Sequence, residues 1–287
     1  MKDNWTLIIR PQQKLWSVDF KEIWRYRDLI ALFVKRNIVI QYKQTILGPL
    51  WYIIQPVLTV IMNMVVFGGI AGMSTDGVPQ ILFYLAGNVC WFYFSDCLNQ
   101  TSKTFTDNQA IFGKVYFPRM VVPISTVLSN LLRFGIQIGL FVVLYLYYFY
   151  AGTSVSPNSY LLLFPVFIIL LAGLGLGFGI LVSSMTTKYR DLTILFTFIV
   201  QLWMYATPIV YPLSQVKGKI VGGIDLYSLM RLNPVTPVLE TFKHGALGAG
   251  EFVGWGWLAY SLIFMLVILA VGILIFNKVQ RNFMDTV

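Results

Sequence analysis

Side chains able to do chemistry are scarce in this chain, and its single histidine, His244, is the first to weigh. Without cysteine or carboxylate ligands beside it, a lone histidine more often packs than binds metal, so no metal site is expected. Gly113–Lys114 and Gly218–Lys219 lack the other elements of a GxxxxGKS/T phosphate loop, so no nucleotide is expected on this chain. No two carboxylates stand at a spacing suited to acid–base work. The charges left inside long apolar runs are Asp96 and Arg133. Charge in such a setting is costly and marks function or a partner. Both lie toward the same end of consecutive runs, so they could pair, or each could simply reach polar surroundings.

Composition identifies the elements that must position these groups. Of 287 residues, 57% are hydrophobic and only 11% charged, against about 25% charged in soluble domains. Several apolar runs approach or exceed the roughly 20 residues that cross a bilayer as a helix. The fold class expected is therefore an all-α polytopic membrane protein. A net charge of +9 would suggest nucleic acid in a soluble protein; here it fits basic flanks held at one membrane face, and no nucleic acid is expected. Cys90 and Cys97 fall seven residues apart in one run, two helical turns from each other and too far to bridge. No cleavable signal peptide is apparent in the basic, polar first forty residues.

Residues 1–45 hold nine of the 21 Lys and Arg. Within them, FKEIWRYRDLIALFVKRNIVIQYK draws a polar stripe through Lys21, Arg25, Asp28, Lys35, Arg36 and Lys43, with Trp24, Ile30, Phe33 and Val34 largely opposite. A basic amphipathic helix with aromatics lies in the membrane interface; packing on a soluble partner is the alternative. Spans follow at about 46–72, with Pro49 and Pro56 in its opening turns, and at 81–98, crowded with aromatics. The third apolar run, 121–150, is divided by Arg133. The fourth, 160–185, carries Gly173, Gly177 and Gly175, Gly179 at the spacing that lets helices approach closely. The fifth covers 193–212 and the sixth 255–276. Residues 213–253 are rich in Gly and Pro, with apolar stretches too brief to cross. The expected organisation is a cytoplasmic segment 1–45, a six-span domain 46–276 and a tail 277–287.

Lys and Arg orient the chain. The N-terminal segment, the loop between spans two and three, the KYRDL loop and the tail are basic, whereas the first two opposite loops have none. The positive-inside rule then puts both termini in the cytoplasm. One departure is the outer stretch 213–253, where Lys217, Lys219, Arg231 and Lys243 accompany Asp225, Glu240 and Glu251.

So few buried charges suit neither an ion pump nor a proton-coupled transporter, which need relays. They suit movement of something bulky with energy supplied elsewhere. Aromatic rings stack on sugar faces while amides and hydroxyls take sugar hydroxyls; Trp91, Tyr93, Asn99, Gln201, Trp203 and Tyr205 combine these types. Most aromatics in such spans instead face lipid or neighbouring helices. The loop IFGKVYFPRMVVP, 111–123, is another oddity, because Ile111, Phe112, Val115, Tyr116 and Phe117 make it sticky where an inner loop should be polar.

The stretch YRDLIALFVKRNIVIQYKQTILGPLW resembles the permease subunits of bacterial ABC type-2 transporters that export cell-surface polysaccharides, O-antigen, capsule and teichoic acid among them. KVYFPRMVVP, MYATPIVYPLS and RLNPVTPVLETFK resemble the same family, in the same order. The resemblance implies a homodimer of six-span subunits in the bacterial inner membrane. Each would engage a separate ABC ATPase that carries ATP and Mg, with no cofactor and no catalysis in this chain. It implies that residues 101–120 dock into that ATPase, with Phe112, Tyr116 and Phe117 as anchors and Lys114 and Arg119 at the rim. It also implies re-entrant helices within 213–253. The substrate implied is a glycan carried on polyprenyl pyrophosphate, whose headgroup would be drawn to interfacial cations. The candidates are Arg25, Arg27, Lys35, Arg36 and Lys43, with Arg36 and Lys43 favoured; membrane lipids would attract the same residues. An ABC type-2 exporter of drugs or lipids is the nearest alternative. A membrane glycan-modifying enzyme is more distant, since it would need acid–base or nucleophilic groups, and a passive channel would leave the aromatic loop without a purpose.

Overall fold

The computed structural model describes residues 20–286 apart from 44, 154 and 190, so most of the segment 1–45 lies outside the described residues. The polypeptide is helical, with one two-stranded hairpin departing from an all-α fold. Among the described residues, five helices are long and apolar enough to cross a membrane: Gly48–Ile70, Gln80–Thr101, Val121–Tyr150, Ser159–Thr186 and Trp255–Gln280.

Before them come α1 (Phe20–Arg25) and α2 (Arg27–Tyr42), parted at Tyr26. Phe33 alone is buried on α2, while Trp24, Leu32, Val39 and Ile40 stay exposed beside the cations. The first span opens with a 3-10 turn at Gly48–Leu50, continues as α3 (Trp51–Asn63) through Pro56, and loosens into a π-helical stretch, Met64–Ile70. Next is α4 (Gln80–Thr101), buried on nearly every side. It is the centre of the molecule, touching α3, α7 (Val121–Tyr150), α8 (Phe164–Thr186) and α11 (Thr236–Leu247).

Glycine makes that packing close. A Cβ on Gly175 would stand 2.6 Å from Cys97 Cβ, and one on Gly177 would stand 2.8 Å from Ile268 Cγ2. Gly175 and Gly179 thus receive α4, and Gly173 and Gly177 receive α12 (Trp255–Thr286), so both pairs expected from spacing are used, on opposite sides of α8.

Helix α9 (Leu192–Tyr205) is shorter than the expected span 193–212. Its 14 residues reach about 21 Å at 1.5 Å per residue, below the roughly 30 Å hydrocarbon core. Pro208 is the reason: it lacks an N–H and disfavours helical backbone in the residue before it. Beyond it lies the irregular region. Strands β1 (Ile220–Val221) and β2 (Ile224–Asp225) pair antiparallel around Gly222 and Gly223, whose φ angles of 59° and 80° suit a two-residue hairpin turn. Helix α10 (Leu226–Arg231) starts on Asp225, whose carboxylate accepts from the N–H groups of Tyr227 and Ser228. These bonds, first among them the Ser228 hydroxyl, hold Asp225 below the usual carboxylate range. Helix α11 is buried almost throughout and stops at Gly248, which takes the left-handed conformation (φ 72°).

Candidate functional site

Two short helices, α5 (Thr104–Asp107) and α6 (Gln109–Phe112), follow α4 at the basic end of the bundle. They stand on an aromatic base. Phe105 stacks on Phe276 at 4.6 Å, Phe112 lies 5.8 Å from Phe117, and Phe117 lies 5.7 Å from Phe33 of α2. Polar bonds fix the base to α8: Phe105 N–H donates to Ser183 Oγ at 3.3 Å, and Thr186 Oγ1 donates to Ser102 O at 3.3 Å.

This base corrects the expected docking surface. Phe112 and Phe117 are buried inside the chain, so they anchor the segment to its own bundle and offer a partner nothing. Arg119 is half-buried; its guanidinium lies over the Phe112 ring, donates to Gln280 O at 3.2 Å, and is held below its usual pKa by burial. The outward tip is Gly113–Tyr116, where Val115 and Tyr116 are 60% and 61% exposed and Lys114 is exposed with them.

The five interfacial cations also separate. Arg25, Arg27, Lys35 and Lys43 are exposed, and Arg27 lies 4.0 Å from Asp28. Arg36 turns inward. Its Nη2 donates to Asn108 Oδ1 and Asn37 Oδ1, both at 3.2 Å, and its guanidinium lies 4.5 Å from the Phe33 ring centre. Burial holds Arg36 below its usual pKa. It lines a cavity of about 410 Å³ between α2, the end of α4 and the first turns of α7. Lys43 does not line it.

Deeper in the bundle, Arg133 Nη1 lies 2.8 Å from Asp96 Oδ2, both largely buried, and Arg133 Nη2 donates to Gln55 Oε1 at 2.8 Å. Arg133 also lies over the Tyr52 ring, whose hydroxyl donates to Gln41 of α2. The group therefore joins α4, α7, α3 and α2. Changing either Asp96 or Arg133 to Ala is expected to lower stability by about 1.5–3 kcal/mol, the range for a hydrogen bond to a charged group. The double variant should lose less than the sum. Thermal unfolding in detergent measures both, and strictly additive losses would show that the two act independently.

The aromatics offered as a glycan path divide in two. Trp91 and Tyr93 are buried because α4 is enclosed: Trp91 meets Trp203 at 6.2 Å, and Tyr93 meets Phe134 at 4.7 Å. Trp203 packs on Phe178 at 5.1 Å, and Asn99 is half-buried. These are core within one chain. Gln201 and Tyr205 instead face outward on α9. Thr193 and Thr197 continue their line at four-residue intervals, a polar stripe that the spacing alone could have disclosed. His244 Nδ1 lies 3.4 Å from Gly250 O beside the rings of Tyr160 and Phe252.

At the far end, Glu240 and Lys243 of α11 form a fully buried pair, 3.2 Å apart. Lys243 Nζ also donates to Pro208 O and lies 4.1 Å from the Phe83 ring centre. Their i, i+3 spacing was readable; their burial was not.

A model of the ABC-2 type transporter family matches residues 28–247. The chain is 26% identical over 263 residues to the O-antigen export system permease protein RfbA of Klebsiella pneumoniae, covering 90% of this chain and 94% of that protein. A protein of the same description from Myxococcus xanthus is 26% identical over 223 residues, 78% of this chain and 82% of its own length. The polysialic acid transport protein KpsM of Escherichia coli is 26% identical over 251 residues, 86% and 91% of the two chains.

Proposed function

The chain belongs to the ABC-2 type transporter family, and from that premise we propose that it is the transmembrane subunit of an ATP-driven exporter of a cell-surface polysaccharide. The names of its relatives, O-antigen export permeases and a polysialic acid transporter, support that substrate class. The single observation that carries the reading is the tip Gly113–Tyr116, a small exposed apolar and cationic knuckle on a rigid aromatic base. A membrane protein has no use for such a knuckle facing water unless something covers it. A separate ABC ATPase with its ATP and Mg is the partner proposed, receiving Val115 and Tyr116 at its centre and Lys114 at its rim.

In this reading α9 and the turn after it form a sixth span, both termini lie in the cytoplasm, and the protein sits in the inner membrane as a homodimer. The domain limits are then 1–45, 46–276 and 277–287. Helix α11 serves as a re-entrant helix, since irregular backbone at membrane depth must be enclosed by protein. The stripe of half-buried Thr193 and exposed Thr197, Gln201 and Tyr205 faces the path between two copies, where sugar hydroxyls would meet it. Exposed Trp24, Leu32 and Ile40 set α1 and α2 in the inner interface, with Arg36 nearest a polyprenyl-pyrophosphate headgroup.

The test is affinity purification of the tagged chain from its own membranes, scoring a co-eluting ATPase. Tyr116→Ser with Lys114→Glu should cut co-elution about tenfold or more, as loss of a central anchor does, while the permease itself elutes unchanged. A well-folded wild type that never brings down an ATPase would overturn the reading.

A further inference from the structure

We propose that the cavity beside Arg36 receives a diphosphate-class anion, and that filling it releases a tie which holds the ATPase-docking segment. The inference rests on the exporter reading and adds a regulatory role to it.

The cavity's chemistry is that of an anion site. Arg36, Asn37 and Gln41 line it from α2, and Gln100, Lys103 and Asn108 from the end of α4 and its continuation. At about 410 Å³ it has room for far more than one water. Two cations face one carboxylate, Asp107, toward which Thr106 Oγ1 donates at 3.3 Å. Among the described residues, no carboxylate comes within ion-pairing distance of Arg36 or Lys103. The acceptors on Arg36 are neutral amide oxygens of Asn37 and Asn108. A guanidinium fork matches phosphate oxygens two at a time, and charged acceptors bind it about twice as strongly as neutral ones. A diphosphate would therefore displace both amides.

Displacing Asn108 has a mechanical consequence. Asn108 is the joint between α5 and α6: its Nδ2 donates to Thr104 O at 3.0 Å, and its carbonyl accepts from Phe112 N–H at 3.0 Å. The Arg36–Asn108 bond ties this joint to α2 across 72 positions of sequence. Helix α6 ends at Phe112, directly before the exposed tip. An anion shifts an equilibrium only by binding one state better. Here the favoured state is the one in which Arg36 has left Asn108 and the docking segment is free to move. Linkage requires the converse, so ATPase engagement must alter anion affinity by the same factor.

The experiment uses the permease–ATPase complex in phosphatidylcholine nanodiscs, with polyprenyl pyrophosphate as probe and inorganic pyrophosphate as competitor. Arg36→Gln and Lys103→Gln should each weaken probe binding about tenfold. Lys188→Gln, an exposed cation in the loop after α8, should leave it within about twofold. Asn108→Ala removes the acceptor that competes for Arg36, so it should tighten probe binding, raise ATP hydrolysis without probe and abolish its stimulation by probe. Competition by inorganic pyrophosphate would show that the cavity reads the diphosphate from either source. Residue-dependent binding of the lipid-borne probe alone would assign the source to the lipid. Equal losses in Arg36→Gln and Lys188→Gln would reveal diffuse attraction and overturn the site. Phosphatidylglycerol matching the probe with the same residue dependence would overturn it as well. A complex that hydrolyses ATP yet ignores Arg36→Gln sinks this inference alone, whereas absence of any ATPase sinks the exporter reading.

Discussion

Replacing Lys243 with Met should cost about 3–5 kcal/mol of stability, the penalty for leaving one member of a buried ion pair uncompensated. Lys243 and Glu240 have no exposed side-chain surface, so no water can take over the lost contact. Three elements meet at the ammonium: Glu240 on its own helix, Pro208 O after α9, and the face of Phe83 on α4. Changing both Glu240 and Lys243 to Met removes the stranded charge and should recover most of the loss. A residue of about 1–3 kcal/mol should remain, because Pro208 O loses its buried donor. Thermal unfolding of the three proteins in detergent separates these terms. A single variant within about 1 kcal/mol of wild type would mean that water reaches the pair. Because α11, α4 and the Pro208 turn after α9 meet there, the single variant should also loosen the outer end and reduce polysaccharide export beyond any fall in protein level.

The pair illustrates where sequence reading stopped. Apolar run length located the five long helices within a few residues, because crossing a bilayer fixes both length and composition. It overshot on α9, where a proline sets the end while the apolar character continues to Val210 and beyond. The small-residue spacing on α8 was legible for the same reason the helices were: a period of four is local. Glu240 and Lys243 stand three apart in a stretch full of Gly and Pro, and nothing local says that α4 and the Pro208 turn close over them. Their burial is a tertiary fact.

The functional end shows the same division. The aromatic richness of residues 111–117 was plain, but which rings face out depended on Phe33, Phe105 and Phe276, brought from helices far away in sequence. Two of three proposed anchors therefore turned inward, and Val115 took their place at the tip. Among the cations, a stripe on α2 could not distinguish Arg36 from Lys43. Only the approach of Asn108 and Lys103 sets Arg36 in a cavity. The glycan-path residues divided, with Gln201 and Tyr205 facing outward on α9. Trp91 and Tyr93 have the right chemistry, but their helix is enclosed, whereas Thr193 and Thr197 on the exposed helix went unread.

Enlarging Gly175 should disrupt the packing of α8 severely. A Cβ there would stand 2.6 Å from Cys97 Cβ and 2.9 Å from Phe94 O, and the latter is backbone that cannot turn aside. Ala at this position should cost about 1–3 kcal/mol as overpacking, and Leu should prevent α4 and α8 from closing at all. Gly139 of α7 has open space instead, with no atom within 4 Å of its Cβ position. Gly139→Ala should therefore be neutral or slightly stabilising, given the roughly 0.8–1 kcal/mol advantage of Ala in a helix. Fluorescence-detected size exclusion of tagged variants would rank them: a sharp peak for Gly139→Ala, a reduced one for Gly175→Ala, and aggregate for Gly175→Leu. A sharp peak for Gly175→Leu would show that the contact is looser than it stands here. Gly179 extends the argument to function, because its Cβ would meet Thr101 one residue before the Ser102 carbonyl that Thr186 holds. The segment proposed to dock hangs from that turn. Gly179→Ala should thus shift α5 and α6 relative to α8, lowering ATPase co-elution more than it lowers the amount of folded permease.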